Sequence, residues 1–240
     1  MGRGLVDPGD DFRDSNPPSH PELLDDLARD FVQAQFDLRT LVVQIMTSRA
    51  YQRSARPTAT NRDDEINHAR AVVRPLQAEQ LLDAVAQVCG VRPRFAGHPL
   101  GTRAGQLPGV GANRRRGRDV READGEKFLA VFGKPMRSLS CECERGEDTT
   151  LAQAFQLLTG PVVQRMLAEP TNRIGKLLEA DTPTDAIIEE LYLATLCRLP
   201  TPRERLALRT LVEKSGRGKR EALEDVLAGL LNAKEFLLRR

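Results

Sequence analysis

Helix-start signals followed by amphipathic stripes recur along this chain, and this pairing limits its fold more than any other sequence feature. Ser19-His20-Pro21-Glu22 has the form of a capping box, with an N-cap hydroxyl, an early proline and a glutamate three residues on. Leu23, Leu24, Leu27 and Phe31 then recur at helical spacing. Asp37 is placed to cap a second helix, in which Leu38, Leu41, Val42, Ile45 and Met46 share one face. The two stripes predict a helical hairpin ending at Tyr51.

The same grammar continues downstream. The spacing predicts a helix over Gln77–Cys89 that buries Leu81, Leu82, Val85, Val88 and Cys89, with Gly90 in the C-terminal capping position. A short helix carries Phe128, Leu129 and Phe132. Thr150 with Gln153 forms a second box for a helix through Leu158, which Gly160 ends before Pro161 starts the next. Ile187, Ile188, Leu191, Leu193 and Leu196 mark a long helix after Pro183. Thr201-Pro202-Arg203-Glu204 opens its expected antiparallel neighbour through Val212. Leu223, Val226, Leu227, Leu230 and Leu231 mark the last helix, whose continuation through Phe236 and Leu237 docks the C-terminus.

Between the stripes, Arg53 to Asn61 has turn composition, and Val91 to Val120 dissolves into Gly, Pro and Arg. The predicted architecture is therefore all-α: two helical lobes of amphipathic helices, 1–90 and 121–240, joined by an irregular Gly/Arg/Pro-rich linker over 91–120. Composition agrees. Tryptophan is absent and aromatics are 4% of the 240 residues, so the core must be aliphatic, which disfavours an aromatic-rich sandwich. With 40% apolar and 29% charged residues the chain belongs with ordinary globular proteins.

Charge narrows the partners. Lys plus Arg number 36 against 34 Asp plus Glu, a net charge of +2, which gives no whole-molecule attraction to nucleic acid or an acidic membrane. The run Arg114-Arg115-Arg116, with Arg118 and Arg121, has no aromatic residue among it to stack a base, so specific nucleic-acid binding is not expected. No apolar stretch is long enough to span a bilayer, and Met1 to Asp11 lacks the core of a secretory signal, so as written the chain is expected in the cytoplasm. Four cysteines, two of them inside helical stripes, do not form the framework of a small secreted domain.

No catalytic or nucleotide signature is complete. Gly109-Val110-Gly111 lacks the strand, third glycine and helix of a dinucleotide loop, and Gly216-Arg217-Gly218-Lys219 lacks the spacing and hydroxyl of a phosphate loop. His20, His68 and His98 are far apart in sequence with no neighbour at metal-ligand spacing. The candidate site residues are Cys141 and Cys143, whose i, i+2 spacing sends both thiols to one side of an extended chain. A zinc site needs about four ligands, and no second pair is present. A metal held there is the one cofactor the sequence raises. Both thiols, set in an irregular charged segment, are expected to be more exposed and reactive than Cys89 and Cys197, which fall in apolar helical patterns.

Read together, several runs resemble a known family. These are Gly2-Arg3-Gly4-Leu5-Val6-Asp7-Pro8, Asn16-Pro17-Pro18-Ser19-His20-Pro21-Glu22, Thr47-Ser48-Arg49-Ala50-Tyr51, Thr60-Asn61-Arg62-Asp63-Asp64-Glu65-Ile66-Asn67, Phe132-Gly133-Lys134-Pro135 with Cys141-Glu142-Cys143-Glu144-Arg145, and Asn232-Ala233-Lys234-Glu235-Phe236-Leu237. Over nearly its whole length the chain is similar to the planctomycete domain of unknown function 1553 family. The resemblance implies a C-terminal domain of larger exported proteins that also carry a cytochrome-c-like module and a companion module of unknown function. It assigns no activity. Because the chain starts almost at the first motif, it is expected to be a truncated or standalone member. Val72-Val73-Arg74-Pro75 stand where the family usually has aromatic and basic residues. The resulting expectation is a non-catalytic helical interaction module. The alternative is a metal-dependent or redox accessory enzyme domain using Cys141 and Cys143.

Overall fold

A computed structural model describes residues 2–9, 11–64, 66–95, 97–107, 124–134 and 151–239. It is mostly helical, and its contacts divide the chain into two units: Met1–Pro75 with Leu238–Arg240, and Leu76–Leu237. Among the described residues the only strands are two residues each, Arg74–Pro75 (β1) and Leu238–Arg239 (β2), paired antiparallel with Pro75 opposite Leu238. The predicted all-α class therefore stands.

In the first unit, α1 (Pro21–Gln33) and α2 (Leu38–Thr47) form the predicted hairpin. Gln35 and Phe36 both adopt left-handed backbone conformations, with φ of 54° and 63°, so the chain reverses within four residues. The Phe31 and Phe36 rings meet edge-on at 5.5 Å across that turn. Asp37 caps α2 as predicted, accepting from the Arg39 N–H at 2.9 Å and the Thr40 hydroxyl at 2.6 Å. The predicted capping box at Ser19 does not form. His20 occupies the N-cap with no side-chain bond. The Ser19 hydroxyl and N–H instead donate to the Leu5 carbonyl, at 3.2 and 2.8 Å. A carbonyl from the preceding loop outcompetes the helix end for that hydroxyl.

The second unit holds the aliphatic core. Its first helix, α3 (Ala78–Cys89), matches the predicted range and ends at Gly90 in the left-handed conformation, φ 70°. It packs against α4 (Asp124–Val131), α6 (Pro161–Ala168), α7 (Arg173–Glu179) and α8 (Thr184–Leu196). The sequence assigned this helix to a lobe ending at residue 90, but Leu82, Val85 and Cys89 are fully buried among the helices that follow. An apolar surface that wide finds enough cover only in a many-helix core.

The described part of the predicted linker is also packed. Phe95, Ala104 and Leu107 are buried, Ala104 opening and Leu107 following a 3-10 turn over Ala104–Gln106. Both oxygens of Asp83 on α3 accept from the N–H groups of Ala104 and Gly105, at 2.7 and 3.1 Å. The buried Lys134 ammonium donates to the carbonyls of Ala104 and Leu107, each at 2.9 Å. Two charged side chains thus hold an aperiodic segment against the core, which a hydrophobic pattern cannot reveal. Residues 108–120 lie outside the described residues.

Beyond α5 (Leu151–Thr159), Gly160 precedes Pro161 at the start of α6, as predicted. Thr150 is not among the described residues, and Gln153 donates to the Val131 carbonyl at 3.2 Å. The unpredicted α7 opens at Asn172, whose buried side chain accepts from the Gly175 N–H and donates to the Leu167 carbonyl. The Thr201 box forms at the start of α9 (Pro202–Lys214). Pairs Arg205–Glu189 at 2.6 Å and Arg209–Asp185 at 3.4 Å run in opposite senses along α9 and α8, which makes those helices antiparallel, as predicted. Two parts of the α8 prediction are corrected. Leu193 is exposed, because the buried face runs through Ile188, Leu191, Tyr192 and Thr195. Cys197 is exposed too, because it ends the helix in a left-handed conformation, φ 55°. The last helices, α10 (Lys219–Leu231) and α11 (Lys234–Leu237), bury the predicted leucines and Phe236.

Candidate functional site

The first unit is unusual in its economy of core. Of its described apolar side chains, Val6 and Ala71 are the buried ones, and neither α1 nor α2 contains a buried residue. Polar bonds order it instead. The Asp64 carboxylate accepts from the N–H groups of Asn67, Ala69 and Ile66, at 2.9, 3.1 and 3.2 Å, and these donors hold its pKa below the usual carboxylate value. Arg70 donates to the Asn61 and Arg62 carbonyls. Asn16 donates to the Asp11 carbonyl at 2.9 Å, and Arg3 pairs with Asp7 at 3.1 Å. Arg3, Asp7, Asn16, Asn61, Arg62, Asp64, Ile66 and Asn67 in this frame come from the motifs singled out above.

The frame brings together two histidines that lie 48 positions apart by numbering, His20 and His68, with ring centroids at 5.5 Å. Nδ1 of His20 lies 3.1 Å from the Ser19 hydroxyl. Burial, then the neighbouring His20, push the His68 pKa down, and its Nε2 is buried without a hydrogen-bond partner. Sequence spacing missed this pair because only the loop geometry closes it. Two rings do not make a metal site, and no group of three or more His, Cys, Asp or Glu that could hold a metal is found among the described residues. His98 lies in the second unit. Cys141 and Cys143 lie outside the described residues.

The frame carries the α1–α2 hairpin. Leu24, Leu27 and Phe31 on α1, with Leu41 and Ile45 on α2, are half-buried. The Gln44 side chain donates to Asp30 at 2.7 Å and ties the two helices. Leu38, Val42 and Met46, spaced i, i+4, i+8, form a second stripe that stays 66%, 49% and 50% exposed, and Val43 beside it is 53% exposed. Leu23, Val32 and Phe36 are exposed as well. A helix normally turns so broad an apolar arc toward a core, and exposed apolar residues clustered this way mark an interaction surface. Helix α1 carries four acidic residues, Glu22, Asp25, Asp26 and Asp30, against one basic residue, Arg29.

A family model described as PSD1, Protein of unknown function (DUF1553), matches residues 1–212. No curated protein matches the chain, and no solved structure does. No helix among the described residues is long and apolar enough to cross a membrane.

Proposed function

The chain belongs to the family of unknown function DUF1553, and from that premise we propose that it is a non-catalytic helical interaction module with the α1–α2 hairpin as its docking surface. One observation carries the reading: two consecutive helices bury no residue and leave the Leu38, Val42, Met46 stripe exposed. Covering these three side chains and the exposed Val43 beside them removes enough apolar area to support association, at about 25 cal/mol per Å². The acidic excess of α1 favours a partner that carries basic residues, and adds an attraction that salt weakens. The family resemblance makes the cytochrome-c-like module and its companion module the first partners to test.

Titration of each purified module into this protein, followed calorimetrically, tests the reading. Binding of one module is expected, weakening with added salt and lost in the Val42→Glu, Met46→Glu double variant. Both substituted positions are half-exposed on α2 and bury nothing, so circular dichroism should be unchanged. Equal binding by the double variant, or no binding by either module, would overturn the reading.

A further inference from the structure

We infer that, when no module is bound, a second copy of this chain occupies the α1–α2 face, the two hairpins closing into a four-helix bundle. The inference rests on the reading of the hairpin as a docking surface, and module binding and self-association then compete for one face. A helical hairpin in which neither helix buries a residue is half of a bundle. A copy supplies the other half with the same helix lengths and the same apolar spacing, and twofold pairing is the commonest form of self-association. The Gln44–Asp30 bond at 2.7 Å marks one side of the hairpin. By helical spacing, the opposite side carries Asp25, Ala28 and Val32 on α1, and Leu38, Val42 and Met46 on α2. All six are exposed, so both helices turn uncovered apolar side chains to one face.

Charge selects a copy of the same hairpin as the covering surface. Helix α1 has its acidic excess, whereas residues 38–60 carry Arg39, Arg49, Arg53 and Arg56 and no acid. The Gln52 N–H donates to the Ser48 carbonyl at 3.2 Å, which holds the start of the stretch after α2 close to the end of that helix. The side chains of Asp25, Arg39 and Arg49 are exposed and form no ion pair among the described residues. A twofold axis running along the hairpin lays α1 of each copy over α2 of the other, with the basic stretch that follows it. Acid then faces base across the axis, and the symmetry makes that attraction twice.

Sedimentation equilibrium of the full chain, with no module present, tests the inference. A dimer is expected at low salt, weakening as salt is added. The Val42→Glu, Met46→Glu double variant is expected to be monomeric, with circular dichroism as the check on its fold. The acid-reversed protein, Glu22→Lys with Asp25→Lys, should self-associate about tenfold more weakly than the parent, and so should the base-reversed protein, Arg39→Glu with Arg49→Glu, because each turns an attraction into a like-charge contact. Mixed in equal amounts, the two reversed proteins are expected to associate as tightly as the parent, since acid again faces base across the axis. A parent that stays monomeric, a dimeric Val42→Glu, Met46→Glu protein, or reversed proteins that do not recover on mixing would each overturn the inference. A monomeric parent that still binds a module by calorimetry removes the second copy and leaves the docking face standing, whereas a dimer that binds no module upholds the second copy and removes the modules as partners.

Discussion

Arg173, the first residue of α7, donates through Nε to the carbonyl of Val88 in the last turn of α3, 85 residues earlier in the chain. The same guanidinium reaches the Gln87 carbonyl and pairs with Glu190 on α8. One side chain thereby satisfies carbonyls that a helix end leaves open and joins three helices around them. Replacing Arg173 with alanine leaves those carbonyls without their donor, so the expected loss is about 2 kcal/mol. Glu190→Ala removes only a partly exposed ion pair and should cost about 0.5 kcal/mol. Urea midpoints decide between them, and equal losses would show that the carbonyl contacts contribute nothing.

Two glycines in helices should respond to alanine with opposite signs. A Cβ built on Gly175 in α7 would sit 1.8 Å from the Pro170 carbonyl oxygen, which also accepts from Arg220 at 3.3 Å. The obstacle is backbone and cannot swing away, so Gly175→Ala should destabilise by about 2–4 kcal/mol. A Cβ on Gly229 in α10 meets nothing within 4 Å. Gly229→Ala should therefore stabilise by about 0.5–1 kcal/mol through helix propensity. Thermal midpoints of the two proteins are expected on either side of the parent's.

Cys89 and Cys197 should differ sharply toward a thiol reagent. Burial pushes the Cys89 thiol up to about 12 from 9.0, and its side chain is fully enclosed, whereas Cys197 is exposed. Native alkylation followed by peptide mapping should label Cys197 and spare Cys89 until the protein unfolds. The sign for stability follows. Between pH 9.0 and about 12 the unfolded chain releases this proton and the folded chain keeps it, so stability falls as pH rises through that window. Labelling of Cys89 at a rate like that of Cys197 would contradict the packing of α3.

Glu204 links acid stability to the Thr201 box. Hydrogen bonds from Arg198, then from the Thr201 N–H, hold its carboxyl down at about 2 against an ordinary 4.5. A depressed carboxylate stabilises the fold fully above its unfolded pKa, and that contribution is lost as pH falls from 4.5 to about 2. Glu204→Gln should lie below the parent in stability at pH 7, and the gap should close across that acid window. Denaturant midpoints at pH 7, 4 and 2.5 would test this, and a constant gap would show that the pair does not titrate with folding.

The all-α class and most helix positions were legible because they rest on local chemistry. Asp37 caps α2, Gly90 ends α3 and Thr201 with Glu204 opens α9, each through bonds within a few residues. The short α7 was not foreseen, although Asn172 before Arg173 carries a capping signal, because seven residues hold too little periodicity to stand out. Ser19 departs from its local pattern because of a distant group. The box requires the hydroxyl to face its own helix, and the Leu5 carbonyl captured it.

Of the candidate sites, Cys141 and Cys143 rest on their spacing in an irregular charged segment and lie outside the described residues. The hairpin was legible as two amphipathic helices, yet its stripes looked like core. That Leu38, Val42 and Met46 stay uncovered in the fold is a fact about neighbours, and hydrophobicity is the same for a buried and an exposed methionine.

The sequence by itself determined which segments coil into helices, where most of them start and stop, and that the core is aliphatic, because propensity, capping and periodicity act over a turn or two of chain. Tertiary structure alone decided that Arg173 closes α3, that Lys134 and Asp83 pin the stretch around Ala104, that His20 meets His68, and that α3 belongs with the helices after it. Each of those depends on groups distant in sequence meeting at hydrogen-bond or van der Waals range. Such meetings are set by how the whole set of apolar faces packs at once, and no local pattern carries that information.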